Sequence, residues 1–394
     1  MTLFFLLLFI VPVIGYGIYE QREHQKRIDS IPIRVNVNGI RGKSTATRLI
    51  TGILKEAGYK TIGKTTGTSA RMIYSFEEEE EPITRRPEGP NIGEQRMVVK
   101  KSADHEVEAL VCECMAVNPD YQIVFQNKLL QANIGVIVNV LEDHMDVMGP
   151  TLNEIAEAFT ATIPYNGHLI TINGPYLEFF KKVAEERQTK VIVADNSKIS
   201  EEFLSEFSYV VFPDNASIAL AVAEALEIPE DIAFKGMLNS NPDPGALRVT
   251  TFGNKDTPSY FVNGFAANDS ASTLKIWETV TEGNYNTRTS IIIMNCRADR
   301  LDRTEQFATD VLPYIEADIL MLVGEATQEI VEAYNESKLP VTELWDMEGK
   351  GLEEILNQLE PKLTNTLIYG IGNIKGAEDL IDTLSTYPQL EKTS

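Results

Sequence analysis

The 394-residue chain is 43% hydrophobic and 24% charged, which suits two or three packed domains and excludes a disordered chain, a collagen-like fibre or a multi-span membrane protein. A formal net charge of −23 repels nucleic-acid backbones at long range, so no nucleic-acid partner is expected. The three cysteines, Cys112, Cys114 and Cys296, have neither the number nor the C-x-x-C spacing of a disulfide framework or zinc site, and the folded part reads as intracellular.

In chain order the first feature is Leu3–Tyr19, a stretch of 17 residues without a charge, at the low end of what a helix needs to cross a hydrocarbon core. No basic segment precedes it and no small-residue cleavage site follows, so it reads as a retained anchor rather than a signal peptide. Arg22, Lys26 and Arg27 place its C-terminal side in the cytoplasm by the positive-inside rule. The sequence thus predicts a cell-membrane protein with one N-terminal span and cytoplasmic domains; a buried core helix is the competing assignment.

From Ile33 the alternation I-R-V-N-V-N enters a glycine loop, after which Ala46, Leu49, Ile50, Ile53, Leu54 and Ala57 recur at helical spacing. Strand, glycine turn and helix open a parallel βαβ unit. The acidic run Glu77–Glu81, followed by Pro82, Arg85, Arg86 and Pro87, is expected to stay unpacked as a mobile, solvated loop. Buried-type strands are predicted at Ala109–Cys114, Ile134–Val140, His168–Ile172 and Val191–Ala194, with helices over Leu152–Phe159, Tyr176–Glu186 and Ala216–Leu226. Turn formers at Asn239–Gly245 mark a boundary. A second α/β series follows, with strands at Tyr260–Asn263, Ser290–Asn295, Ile319–Val323 and Thr366–Tyr369 and helices between them.

The chemistry concentrates in three places. The segment N-G-I-R-G-K-S-T, Asn38 to Thr45, lies between the first strand and helix, where backbone N–H groups and the helix dipole converge on an anion. Gly39 and Gly42 allow close approach, Lys43 supplies a charge for β- and γ-phosphates, and Ser44 or Thr45 can reach Mg²⁺. It is shorter than the full Walker pattern; the bland alternative is a left-handed turn with a surface lysine. Glu113 sits inside an apolar strand and so implies a cation or a basic partner. Of the four histidines only His144 lies among carboxylates, Asp143 and Asp146, after a predicted strand, where an imidazole can complete a metal shell.

Taken in order, G-x-x-G-K-S-T, the strand-borne Glu113, N-x-x-x-D-H-x-D-x-x-G from Asn139 and a helix opened by Asp214-Asn215-Ala216 resemble the Mur ligase superfamily of ATP-dependent amide ligases. With an anchor ahead of the P-loop, the chain resembles the ligase subunits of bacterial poly-γ-glutamate synthases within it. The resemblance implies an α/β fold with a P-loop-containing parallel-sheet ATPase domain over residues 31–240, after an anchor and linker at 1–30, and a smaller Rossmann-like domain over 245–394.

It further implies ATP and Mg²⁺ as cofactors, with nucleotide contacts at Gly39, Arg41, Gly42, Lys43, Ser44, Thr45, Asn215 and Arg248. Metal ligands fall on Ser44, Glu113 and His144, the catalytic set is Lys43, Glu113 and His144, and Thr65–Thr68 matches a substrate loop. Phe159 aligns with the relatives' carbamylated lysine, a departure that removes one expected metal ligand. Asn268 and Asp269 are weaker nucleotide candidates. The implied partners are glutamate, the poly-γ-glutamate chain, small membrane subunits of an export complex and a possible second copy. The implied reaction is attack of a γ-carboxylate on ATP, then displacement of phosphate by the amine of another glutamate. Arg41, Lys43, Lys64, Arg71, Arg297, Arg300 and Arg303 are the cations available for these anions. Two rival readings are a membrane-tethered P-loop ATPase working as an assembly or transport motor, and a nucleotide-binding scaffold.

Overall fold

A computed structural model describes residues 2–66, 70–85, 91–243, 246–254, 256–267, 269–282, 285 and 287–387. The chain divides into two compact units, Met1–Phe207 with Val211–Ala246, and Ser208–Val210 with Leu247–Ser394.

The first unit is built on eight strands: β1 (Ile33–Asn38), β2 (Thr61–Lys64), β3 (Arg71–Tyr74), β4 (Glu81–Pro82), β5 (Ala109–Glu113), β6 (Ile134–Ile137), β7 (His168–Ile172) and β8 (Lys190–Ala194). Their order is β4-β3-β2-β5-β1-β6-β7-β8. The ladders from β2 to β8 are parallel, and β3 and β4 extend the edge antiparallel. β1 pairs with β5 on one side and β6 on the other, with Val37 opposite both Glu113 and Val136. The chain leaves β1 for β2 on one side and later crosses it from β5 to β6 on the other. The C-terminal end of β1 is therefore a topological switch point, where open α/β sheets form their ligand crevice. The core strands are near-continuous apolar runs because both sheet faces are covered.

The second unit holds a six-stranded sheet of β9 (Val249–Asn254), β10 (Thr257–Asn263), β11 (Thr289–Cys296), β12 (Ala317–Gly324), β13 (Val341–Asp346) and β14 (Thr366–Gly372). It runs β13-β12-β11-β14-β10-β9, parallel except for the β9–β10 hairpin. Phe252, Phe261, Ile291, Ile293, Met321 and Ile368 form its core with Leu359 and Leu384 from covering helices.

Two expectations are corrected here. The predicted membrane anchor is not borne out: among the described residues no helix is long and apolar enough to cross a membrane. The segment forms helix α1 (Thr2–Asp29), which does not end at the apolar stretch but runs on through Glu20, Arg22, Glu23, Lys26 and Arg27. Its last turns pack on the first unit, where His24 and Ile28 are buried and Ile28 joins a core with Ile62, Val98, Leu110 and Phe125. Burying an isoleucine contributes roughly 1.5–3 kcal/mol, so the stretch read as a polar linker is an integral packing element.

The acidic run is packed only at its end: Glu77–Glu79 are exposed, as a solvated loop would be, whereas Glu80 and Glu81 are tied down. Arg48, on helix α2 (Lys43–Glu56) with a side chain 1% exposed, is held by both carboxylate oxygens of Glu80 at 2.5 and 2.9 Å and by Asp243 at 3.4 Å. A guanidinium at that depth needs such partners. Glu81 accepts a hydrogen bond from the Tyr74 hydroxyl at 2.6 Å and pairs with Lys101. Arg86 and Pro87 lie outside the described residues.

Candidate active site

The loop between β1 and α2 is shaped by its neighbours. Gly42 is the residue before α2 with φ +82°, and Gly39 has φ +130°, left-handed values that favour glycine. A Cβ on Gly42 would lie 2.4 Å from Asn215 Oδ1, so a larger residue there would also have to displace the Asn215 side chain. Below the loop, Asn38 Oδ1 accepts from the Gly39 N–H at 2.9 Å, and Asn38 Nδ2 donates to Gln122 and Thr162. Above it, Asn139 Oδ1 accepts from the N–H groups of Ile40 and Arg41 at 3.0 and 3.1 Å, while its Nδ2 donates to the Arg41 carbonyl at 2.9 Å. The turn is thus clamped by side chains from β1 and from the segment after β6. Lys43 folds back on this loop, its ammonium 2.8 Å from the Gly39 carbonyl and 3.1 Å from that of Ile40.

Glu113, the last residue of β5, is 3% exposed. Its partners come from either side along the sheet. Ser44 Oγ donates to Oε2 at 2.8 Å, the Thr66 N–H donates to the same oxygen at 2.8 Å, and Thr66 Oγ1 donates to Oε1 at 2.6 Å. The isolated carboxylate of the sequence therefore has three donors, and a hard-oxygen pair, Glu113 and the Ser44 hydroxyl, stands at the first turn of α2. Such a pair suits Mg²⁺, which takes one or two protein oxygens and completes its shell with phosphate and water. Among the described residues there is no cluster of three His, Cys, Asp or Glu side chains that could cage a metal.

His144 is not at a strand end: β6 stops at Ile137, and His144 heads the short helix Met145–Met148 with φ +49°. Asp143 holds it there, accepting from the His144 N–H at 2.9 Å with its ring Nε2 3.7 Å away, and Asp143 also pairs with Arg41 at 3.4 Å. One cleft collects these groups: Gly39, Lys43, Thr66, Arg85, Glu113, Asp143, His144 and Phe159 all line it. Lys43, Glu113 and His144, expected as the catalytic set, thus share one cleft. Phe159, 1% exposed, gives it an apolar wall and anchors in a core with Ile40, Ile137 and Ile155.

Other expected residues fall as follows. Thr45 is in the first turn of α2, and Asn215, 5% exposed at the start of the helix Pro213–Ala225, packs against Gly42. Arg248 belongs to the second unit, exposed just ahead of β9. Arg297, Arg300 and Arg303 are also there; Arg297 pairs with Asp299 at 2.6 Å and Arg303 donates to Asn373 Oδ1 at 3.0 Å. Asp269 caps the helix Ser270–Glu282, accepting from the Ser272 N–H. Gly67, Thr68 and Asn268 lie outside the described residues. Sequence reasoning left Asn139 without a role although its motif was in view, and it placed Thr66 in a substrate loop rather than against Glu113. It also left Arg85, which lines the cleft, in a solvated loop.

An α/β unit with a short P-loop at the switch point, a strand-end glutamate bonded to the P-loop serine and a histidine in the same cleft define the nucleotide-dependent ligase class, and the Mur ligase middle domain matches residues 37–242. The poly-gamma-glutamate synthase CapB C-terminal domain matches residues 249–387. The chain is 67% identical to the capsule biosynthesis protein CapB of Bacillus anthracis over 94% of its length and 80% of that protein. It is 64% identical to the PGA synthase CapB of Bacillus subtilis over 95% of its length and 96% of that protein. The fold is similar to that of a bifunctional folylpolyglutamate synthase/dihydrofolate synthase from Yersinia pestis, complexed with AMPPNP and Mn, with a TM-score of 0.62, 12% identity and 93% coverage of both chains. The chain belongs to the CapB family of poly-γ-glutamate synthases within the Mur ligases.

Proposed function

We propose that this cleft is where the chain, an ATP-dependent amide ligase making poly-γ-glutamate, activates a γ-carboxylate with ATP. The observation that carries the assignment is the Ser44–Glu113 hydrogen bond at 2.8 Å beside Lys43, which joins two of the three expected metal ligands next to that lysine at the C-terminal end of the central strands. In this reading the N–H groups around Gly39–Gly42 and the Lys43 ammonium hold the β- and γ-phosphates. Ser44 and Glu113 would hold Mg²⁺, which when bound neutralises charge between the phosphates.

The γ-carboxylate attacks the γ-phosphorus, ADP leaves, and the amine of another glutamate displaces phosphate from the acyl phosphate, losing a proton as the amide forms. His144, steadied by Asp143, faces the charge that builds on the transferring group. Asn215 would stand beside the nucleotide, and Arg248 of the second unit is assigned to it by likeness alone. Association with small partner subunits or a second copy belongs to the same proposal and is read by co-purification and by sedimentation of the full chain.

The test is purified protein with ATP, Mg²⁺ and glutamate. Glutamate-dependent ADP release with lengthening γ-linked chains is expected, abolished by Lys43→Ala without loss of fold. Glutamate-independent turnover would return the motor reading, which the family membership disfavours.

A further inference from the structure

Beneath the phosphate loop lies a buried seam of side-chain amides. Asn36 and Asn38 stand two positions apart on β1, and so on one face of the sheet. Gln122 and Gln126 stand four apart on the helical stretch packed against them, across the junction of Pro119–Val124 with the π-type turn Phe125–Leu130. All four are buried. Two strand residues advance roughly 6.6 Å and four helical residues about 6 Å, so the pairs meet rung to rung. Asn36 Nδ2 donates to Gln126 Oε1 at 3.0 Å, and Asn38 Nδ2 donates to Gln122 Oε1 at 2.9 Å. Each glutamine continues the chain through its own nitrogen, Gln126 to the Ala132 carbonyl at 2.9 Å and Gln122 to the Val117 carbonyl at 3.0 Å.

The two rungs end in different places. Ala132 lies ahead of β6, at the opposite end of these parallel strands from the phosphate loop. The Gln122 rung is instead bordered by the cleft, which Asn38, Val117 and Met148 all line. Asn38 Oδ1 accepts from the Gly39 N–H of the phosphate loop. Val117 belongs to the segment that follows Glu113 at the end of β5. The Gln122 amide nitrogen also lies 3.7 Å from Met148 Sδ. Met148 is the buried residue of the short helix headed by His144, and its N–H donates to the His144 carbonyl at 2.9 Å. One side chain, 2% exposed, thus meets the three walls that carry the phosphate loop, Glu113 and His144.

A buried amide is costly unless both its ends are bonded, and an apolar residue of the same shape fills the same volume. What the amide adds is direction: its oxygen faces Asn38 and its nitrogen faces Val117 and Met148. The phosphate loop itself does not depend on it. Asn139 clamps the loop from above, and Thr162 also accepts from Asn38 at 2.9 Å. What depends on Gln122 is the placement of the three walls relative to one another.

Resting on the ligase reading above, we propose that Gln122 is a positioning residue for phosphoryl transfer. It holds the His144 turn and the segment after Glu113 in register with the phosphate loop, acting through Asn38, Val117 and Met148 rather than on the substrates. Nucleotide binding needs one wall, whereas transfer needs all three, so the loss of Gln122 falls on kcat.

The test sets Gln122→Met against Gln126→Met. Methionine keeps the length and volume of glutamine and deletes its hydrogen bonds, so each variant loses one rung and the two should show similar falls in Tm. With the full chain, kcat is read as glutamate-dependent ADP release at saturating ATP, Mg²⁺ and glutamate, and ATP affinity by equilibrium binding, both well below either Tm. A shift of about 1 Å between reacting groups can cost roughly 100-fold. Gln122→Met should therefore lower kcat by about tenfold or more with ATP affinity within about threefold of wild type, while Gln126→Met should leave both within about twofold. Gln122→Asn, an amide one methylene too short to span Asn38 and Val117, should lower kcat in the same way, and it replaces the methionine variant if that does not fold by circular dichroism.

A wild-type kcat in the Gln122 variant overturns the proposal. Equal losses of kcat in the Gln122 and Gln126 variants also overturn it, since both rungs would then serve stability alone. So does a loss confined to ATP affinity, which would leave Gln122 as a support of the phosphate loop only. Wild-type protein without glutamate-dependent ADP release overturns the ligase reading itself, a failure seen before any variant is made.

Discussion

Replacing Glu113 separates its two proposed roles, because glutamine preserves its shape and removes its charge. Its oxygens accept from Ser44 Oγ, the Thr66 N–H and Thr66 Oγ1. With the amide oxygen at the Oε2 position, two of these bonds survive as neutral ones, and the Thr66 hydroxyl can turn to accept from the amide nitrogen. Charge-assisted bonds of about 1.5–3 kcal/mol become neutral ones of about 0.5–1.5, offset by relief of a buried charge. The net cost to folding should be about 1–2 kcal/mol. Alanine instead leaves the Thr66 N–H unsatisfied and opens a void, about 2–4 kcal/mol. At roughly 2–4 °C per kcal/mol, Tm should fall by no more than about 8 °C for Glu113→Gln and by more for Glu113→Ala. Calorimetric titration of ATP with EDTA and with saturating Mg²⁺ then reads the metal. Glu113→Gln should keep metal-free binding and lose roughly 10–100-fold of the Mg²⁺-dependent gain. A glutamine variant with the wild-type Mg²⁺ requirement would refute the ligand role and leave Glu113 as a purely structural acceptor.

Three further outcomes are expected. Asn139→Ala removes three hydrogen bonds from the Ile40–Arg41 turn. Because Arg41 is accessible to water the stability loss should stay near 1–2 kcal/mol, while ATP affinity falls about tenfold as the turn loses its preset shape; equal ATP binding would show that the loop holds itself. His144→Ala should lower kcat by more than it changes ATP affinity, checked by turnover against equilibrium binding, and full activity in the variant would remove it from the site. Burial holds the His24 imidazole below its ordinary pKa, with Nε2 donating to the Leu129 carbonyl at 3.0 Å. A depressed histidine contributes stability that is full above its unfolded value near 6.5 and lost as pH falls through the folded one. Tm should therefore drop on the acid side of about pH 6.5, and His24→Gln, which keeps a donor and cannot charge, should shallow that drop; an identical acid limb in the variant would locate the sensitivity elsewhere, with His168, also depressed by burial, the next group to test.

Much of the fold was legible because buried parallel strands and amphipathic helices carry their own periodicity. The strands at Ala109–Glu113 and His168–Ile172, and the helix Leu152–Phe159 opened by a Thr151–Glu154 capping box, were visible as patterns before any contact was known. What was missed is short, mixed in character or stabilised from a distance. β2 reads T-I-G-K and is strand only because β5 and β3 flank it. β4 is two residues long, Glu81–Pro82, and exists as the edge of β3. The helical stretch Pro119–Leu130 changes to π-type spacing at Phe125, which breaks the 3.6-residue repeat that a sequence reading relies on. Leu3–Tyr19 misled for the opposite reason. Its apolar run was judged without the helix that continues it, where His24 and Ile28 are buried in the first unit.

The site divides along the same line. Lys43, Ser44 and the loop glycines could be placed from one local segment, since strand, turn and helix fix their geometry by themselves. Glu113 could be flagged only as an anomaly, a charge in an apolar strand, because its partners Ser44 and Thr66 are 69 and 47 residues away. The ion pairs of Glu94 with Lys64 and Arg85 lay further beyond reach. Lys64 precedes Glu94 by thirty positions and sits at the end of a strand that was not recognised, while Arg85 follows an acidic run whose composition argued for solvent. Composition describes what a segment could do when isolated; it does not contain Arg48, whose buried guanidinium is paired with Glu80. Long-range charge pairing decides the packing there, and it becomes readable only once the sheet order sets β2, β5 and β1 side by side.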